Sequence, residues 1–244
     1  MLVIGSTLLS LSPVKAQIIS GHDQLLWLDP TKGVGTTTDQ WENVFITAWE
    51  DQSGNNKTAW GQLGAPYAPK LELGGINGLP SGRISTGGGS GVLVVDQSFR
   101  LPNSFSLFMV VDLASNADQA LITTGSTQLL NNQLPGTGWI GDNAVILSLT
   151  YNEGVVTYYR NGTLVDTVSV TIENENVQIG GIWEAGALLS ELIVYEGVLG
   201  MSDLHLVNAY LGERYDIAVI PEPATTALLG GGLLLLASRY IRNR

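Results

Sequence analysis

Between residues 24 and 195, apolar and polar side chains alternate in short blocks separated by Gly, Asn, Asp and Ser. This is the period-two signature of strands with one buried face. Strands are predicted at Gln24-Leu28, Val44-Trp49, Pro69-Leu73, Gly91-Val95, Ser104-Leu113, Ala120-Thr124 and Ala144-Tyr151, then at Val155-Arg160, Thr163-Val170, Val177-Ile179 and Ser190-Tyr195. Asn161-Gly162 sits between two alternating runs, and because both residues accept positive φ it predicts a tight hairpin. One helix is predicted near the end. Ser202 is its expected cap, and Leu204, Val207 and Leu211 share a face with Tyr210 beside them, ready to pack on the sheet edge. No Pro- or Ser-rich linker divides this stretch, and no repeat with a period of roughly 20 to 50 residues is visible. The pattern predicts one all-β domain, a two-sheet antiparallel sandwich with a short C-terminal helix.

The two ends follow other rules. Residues 2–11 form an apolar run, and Val14 and Ala16 place small residues where a signal peptidase reads them, so residues 1–16 are expected to be a signal peptide cut before Gln17. At the other end come Pro221-Glu222-Pro223, an uncharged run from Ala224 to Ser238, and then Arg239, Arg242 and Arg244. As a helix that run spans about 22 Å, less than the ~30 Å hydrocarbon core, and Gly230-Gly231-Gly232 weakens it further. It suits a transient membrane anchor with its arginines on the cytoplasmic side. The order of these three parts resembles the PEP-CTERM sorting signal of Gram-negative bacteria. That resemblance implies recognition by an exosortase-type membrane enzyme and delivery to the outer surface or extracellular matrix, often alongside exopolysaccharide. The expected division is 1–16 signal peptide, 17–218 sandwich domain and 219–244 sorting segment with its own hydrophobic helix.

Charge and composition then narrow the function. The chain has 244 residues, 11 basic against 22 acidic, 30 glycines and no cysteine. Its 14% charged content lies well below the ~25% of ordinary globular proteins, and abundant glycine suits strands and turns. Without the two ends, seven basic residues face 21 acidic ones, leaving about −14. Such a surface repels phosphate polymers, which excludes nucleic acid as a partner. The lack of cysteine excludes disulfides, thiol nucleophiles and Cys-ligated zinc.

Five stretches carry a second resemblance: Leu26-Trp27-Leu28-Asp29, Ala48-Trp49-Glu50-Asp51-Gln52-Ser53-Gly54-Asn55-Asn56, the hairpin Tyr159-Arg160-Asn161-Gly162-Thr163, Leu189-Ser190-Glu191-Leu192-Ile193-Val194-Tyr195, and Tyr210-Leu211-Gly212-Glu213-Arg214-Tyr215. In this order they resemble a LamG-like, concanavalin A-like jelly roll of bacterial surface proteins over roughly residues 23–217. The resemblance implies two curved antiparallel sheets and a carbohydrate- or protein-binding role, and it leaves the ligand open because this fold hosts binding modules, lyases and hydrolases.

The side chains favour binding over catalysis. His22 and His205 are the sole histidines, the one beside the expected mature N-terminus and the other reading as a surface position of the terminal helix. No Gly-x-Ser-x-Gly elbow exists, so the sequence offers no sign of a hydrolase triad. Adjacent Glu50 and Asp51 point to opposite faces of a strand, as do Glu191 and Glu196. Glu173 and Glu175 share a face, but Asn174 and Asn176 make that stretch read as a solvated turn, so nothing assembles the pair that glycoside hydrolysis requires. Gly87-Gly88-Gly89-Ser90-Gly91 lacks the Lys-Ser/Thr of a phosphate loop. For sugar binding the leading candidate is Trp139, in a predicted loop from Leu134 to Asn143 whose Asp142 and Asn143 can hydrogen-bond a ring stacked on the indole. Trp183 and Trp60 are further candidates, whereas Trp27 and Trp49 lie among apolar residues and read as core. Asp51, Ser53, Asn55 and Asn56 form an oxygen-rich turn in which Asp51 and Asn55 could ligate calcium, although a self-bonded Asx turn explains the same residues. The expectation is an exported, non-catalytic, glycan-binding surface protein with no required cofactor. The alternatives are an adhesive matrix protein that binds protein, and a carbohydrate-active enzyme.

Overall fold

The structure is a computed structural model that describes residues 21–61, 68–84, 91–113, 120–131, 133–134, 138–139, 143–180 and 186–220. The expected signal peptide and the sorting segment from Pro221 to Arg244 lie outside these residues. Among the described residues the strands are β1 (Gln24–Leu28), β2 (Val34–Thr38), β3 (Val44–Trp49), β4 (Ala59–Gly61), β5 (Lys70–Ile76), β6 (Leu79–Ile84), β7 (Leu93–Val95), β8 (Ser104–Asp112) and β9 (Ala120–Thr124). They continue with β10 (Thr127–Asn131), β11 (Gln133–Leu134), β12 (Gly138–Trp139), β13 (Val145–Asn152), β14 (Val155–Arg160), β15 (Thr163–Ser169), β16 (Val177–Ile179) and β17 (Ala187–Glu196), followed by helix α1 (Met201–Tyr215).

The all-β expectation holds, with one difference in form. Fifteen strands join in a single antiparallel ladder, β10-β9-β16-β7-β4-β3-β5-β6-β17-β8-β13-β14-β15, with β1 added on β17 and β2 on β3. The ladder curls until its halves face each other. Ile46, Trp49, Leu93, Ile122 and Ile179 from one half share a buried core with Leu107, Met109, Leu147, Leu149 and Leu192 from the other. The fold-over is narrow: β3 meets β5 at the single pair Phe45↔Lys70. The two sheets of the sandwich are thus two limbs of one hydrogen-bonded surface, as twisted sheets of this length require when they close on a core.

Alternation explains why the second limb is buried on both faces. In β8, Phe105, Leu107, Met109 and Val111 point into the sandwich, while Phe108 and Val110 point outward. The outward set, with Ile146, Tyr159, Ile193 and Tyr195, is covered by Leu204, Val207, Leu211 and Tyr215 of α1. The helix therefore lies across the middle of the sheet and not at its edge. Its start also differs from expectation. The N-cap is Gly200 with no side-chain cap, and Ser202 falls inside the first turn. Burying those four helical side chains contributes on the order of 6–12 kcal/mol, which anchors the helix without a cap.

Turn chemistry behaves as the sequence demands. The Asn161-Gly162 hairpin has both residues at positive φ, 49° and 81°. The segment expected to be a loop around Trp139 contains the small β11–β12 hairpin, with Gln133 opposite Trp139.

Candidate functional site

Two polar assemblies emerge, one buried and one open. The buried one lies between α1 and the second limb, and it draws together residues from four of the five stretches that carry the jelly-roll resemblance. Asp29, just past β1, and Glu191, on β17, both have 0% accessible surface. Arg214 of α1 bridges them, 2.6 Å from Asp29 Oδ1 and 3.2 Å from Glu191 Oε2. Thr31 donates to Asp29 through its backbone N–H at 2.9 Å and its hydroxyl at 2.7 Å, and Lys32 Nζ stands 3.3 Å from the same carboxylate. Glu191 accepts from Trp27 Nε1 at 2.7 Å, Tyr215 OH at 3.0 Å and Tyr210 OH at 3.3 Å. Trp49 is fully buried and donates its indole N–H to the Asp29 carbonyl at 2.9 Å, tying the cluster to the core.

The electrostatics follow from these contacts. Burial pushes the Glu191 carboxyl upward, and Arg214 and Trp27 offset this only in part. For Asp29 burial acts in the same direction, yet the Arg214 and Thr31 hydrogen bonds outweigh it and hold the carboxyl below its ordinary range. Burial also raises Tyr210 and Tyr215, with the Glu191 charge adding to it. A buried ion triad of this kind gains little over apolar packing of equal volume. Its effect is to fix how α1 is rotated on the sheet. The small cleft above it, about 420 Å³, is lined by Asp29, Thr31, Lys32, Tyr210, Glu213 and Arg214.

The open assembly lies on the outer face of the first limb. Directly opposed residues in an antiparallel ladder share a face. Register therefore places Ala48, Trp60, Val94, Gln178, Thr123 and Gln128 in one row across β3, β4, β7, β16, β9 and β10. Trp60 is 55% exposed, Gln128 is exposed, and Val94, Gln178 and Thr123 are half-buried. From β4 to β10 the row crosses five strands, about 19 Å at ~4.8 Å per spacing. Beside Trp60, Asp96 and Gln97 line a cleft of about 390 Å³. Asp96 accepts from the Ser98 hydroxyl and from its backbone N–H, which hold its carboxyl below the ordinary range. Lys57 stands 3.8 Å away. An indole face, two amides, a hydroxyl and a carboxylate thus share one shallow surface.

The other sequence-based candidates are placed as follows. Trp139 lies on β12, Asn143 is exposed just ahead of β13, and Asp142 and Trp183 fall outside the described residues. Both oxygens of Asp51 are engaged: Oδ1 by the N–H groups of Trp27 and Ser53, and Oδ2 by the Ser53 hydroxyl and the Lys57 N–H. Asn55 donates to the Gln24 carbonyl at 2.7 Å. Among the described residues no three His, Cys, Asp or Glu side chains gather as a metal site. The sequence reading missed the Gln178–Thr123–Gln128 row. Its signal was the polar Gln178 between inward Val177 and Ile179, but which strands lie side by side is set by tertiary pairing.

The last two described residues, Val219 and Ile220, open a segment with a recognisable pattern. Residues 219–243 match the PEP-CTERM protein-sorting motif. The PEP-CTERM motif implies exosortase-dependent export and sorting to the cell envelope of Gram-negative bacteria. No curated protein is similar to the chain in sequence. In structure the chain is similar to the binding domain of Paraclostridial Mosquitocidal Protein 1, with 13% identity, a TM-score of 0.53 and coverage of 77% of this chain and 52% of that one. It is also similar to the botulinum neurotoxin serotype D binding domain, with 14% identity, a TM-score of 0.52 and coverage of 78% and 51%. The chain thus spans about half the length of these toxin domains. Domain 4 of AbnA, a GH43 extracellular arabinanase from Geobacillus stearothermophilus solved with arabinotriose, matches at 15% identity and a TM-score of 0.51, covering 76% of this chain and 98% of that domain. At such identities the likeness is one of fold.

Proposed function

We propose that the chain is an exported surface or matrix protein whose LamG-like sandwich, residues 17–218, binds glycan without catalysis. The sorting segment 219–244 presents it to an exosortase-type enzyme after transient membrane insertion, and residues 1–16 direct export. The observation that carries the binding role is the row from Trp60 to Gln128. Sugar rings stack their apolar faces on flat aromatics and exchange hydrogen bonds with planar amides and carboxylates, and this row offers both on a surface that, among the described residues, no helix covers. The arabinotriose complex of the similar arabinanase domain supports a sugar ligand, as does the structurally similar botulinum neurotoxin type C, whose cell entry is dependent upon interaction with two ganglioside molecules. Catalysis is disfavoured because the acid pair that Arg214 bridges, Asp29 and Glu191, has no accessible surface. With about −14 on the domain, neutral glycans are favoured over uronates.

The test is a glycan array probed with the full chain, followed by titration of any hit. Trp60→Ala should lower affinity about tenfold or more, equivalent to ~1.4 kcal/mol, and should leave unfolding nearly unchanged because the indole is largely exposed. A blank array, or a Trp60→Ala variant that binds like the parent, would refute the reading.

A further inference from the structure

We infer that the domain rests on the membrane surface in one fixed orientation while its sorting segment is inserted, with the Asn161-Gly162 end toward the lipid. This rests on the reading of residues 224–238 as a membrane anchor. The argument starts from how the chain leaves the fold. After α1, Asp216 turns with φ 51°, and the Ile217 N–H donates to the Gly212 carbonyl at 2.9 Å. Ile217 is buried and Val219 packs against the helix-side core. Gly212 makes room for this strap: a Cβ there would lie 2.5 Å from Val219 Cγ2, and one on Gly162 would lie 3.1 Å from Val219 Cγ1. The Ile220 N–H then donates to the Asn161 carbonyl at 3.2 Å. The first two residues of the sorting motif therefore belong to the folded body.

The chain beyond this last hydrogen bond is short. The apolar run begins at Ala224, four residue steps on, so it starts at most about 14 Å from Ile220 whatever path the backbone takes. A tether of that reach cannot let the domain tumble away from the bilayer. It holds the face around the exit against the headgroups, and that face exposes Leu164 and Ile220, 52% and 64% accessible. Register adds what else lies there: β13 begins at Val145 opposite Val111, β17 begins beside Asp112, and β14 ends at Arg160 opposite Leu147. Exposed Asn143 enters the sheet at this same end, whereas Ser169, at the other end of β15, is remote from it. The acidic surface gives no attraction to lipid, so the tether alone sets the contact.

The chain has no cysteine, which permits single labels. The full chain is reconstituted in phosphatidylcholine vesicles carrying a headgroup nitroxide, with a fluorophore on Leu164→Cys or on Ser169→Cys. The two sites lie about 17 Å apart along one strand. The expected result is strong quenching at position 164 and none at 169, with the quenching at 164 lost when about ten Gly/Ser residues, ~17 Å of flexible reach, are inserted between Ile220 and Pro221. Equal quenching at both sites, or quenching at 164 that survives the insertion, overturns the fixed orientation. A chain that fails to float with the vesicles at all removes the membrane-anchor reading, and the orientation with it.

Discussion

Replacing Arg214 with Met would expose what the buried network does. Arg214 stands between two carboxylates with no accessible surface and also donates to Tyr210 OH at 2.6 Å. Met keeps an unbranched apolar stem but is shorter and removes the charge and every donor. Breaking a buried ion cluster by removing one partner costs about 3–5 kcal/mol, because the remaining charges are stranded. Lys32 lies 3.3 Å from Asp29, but its side chain is 55% exposed and solvent screens it, so it softens the loss at Asp29 alone and the penalty concentrates at Glu191. Against a total stability of ~5–15 kcal/mol the loss is large. At ~2–4 °C per kcal/mol for a domain of this size, the midpoint should fall by roughly 6–20 °C. Urea unfolding followed by tryptophan fluorescence, together with calorimetry, measures both. Adding Glu191→Gln to the Arg214→Met protein should restore roughly half of the deficit, since it removes the stranded charge, keeps a carbonyl acceptor for Trp27 and turns an amide N–H toward the Tyr215 oxygen. A deficit under about 1 kcal/mol, or no rescue by the second substitution, would refute the account of a stranded charge.

Two more expectations rest on the same region. Glu191 has a raised carboxyl pKa in the fold, so the stability it contributes is full below its unfolded value and is lost as pH rises through the folded one. Glu191→Gln lacks that titration, so its stability relative to the parent should improve as pH rises above the ordinary Glu value of about 4.3, and a flat or falling difference contradicts it. Gly212→Val places side-chain atoms where Val219 packs, and should cost about 1–3 kcal/mol and open residues 216–220 to limited proteolysis. Unchanged stability and unchanged cleavage would show that the strap is not held there.

The sequence revealed strands wherever inward positions were strongly apolar. Gln24–Leu28, Val44–Trp49, Ala120–Thr124, Val155–Arg160 and Val177–Ile179 appear with their expected bounds. It hid strands whose pairing is imposed from outside. Leu79–Ile84 contains Pro80 and Gly82 and reads as a turn, yet β17 and β5 hold it on both sides. Gly82 allows a close approach there, since a Cβ would lie 2.9 Å from Ile46 Cδ1 and displace the tip of that side chain. Val34–Thr38 is mostly exposed on its outer residues and owes its form to β3. The buried network was written in the chain as Trp27-Leu28-Asp29, Glu191 and Arg214-Tyr215, but residues more than 160 positions apart give no local sign that they meet. Glu191 faces the helix because β17 shifts register between Leu189 and Glu191, a bulge that no simple alternation foretells.

The separation of those partners bears on how the protein is made. Trp27 and Asp29 leave the ribosome early, but the carboxylate and guanidinium that complete their bonds emerge only with residues 191 and 214. The pairing of β1 with β17 likewise waits for the end of the domain. Until then the nascent polypeptide cannot close into its native form, and such long-range closure is slow. A chain marked for export gains from that delay, because a polypeptide that has not yet closed can still be threaded across a membrane.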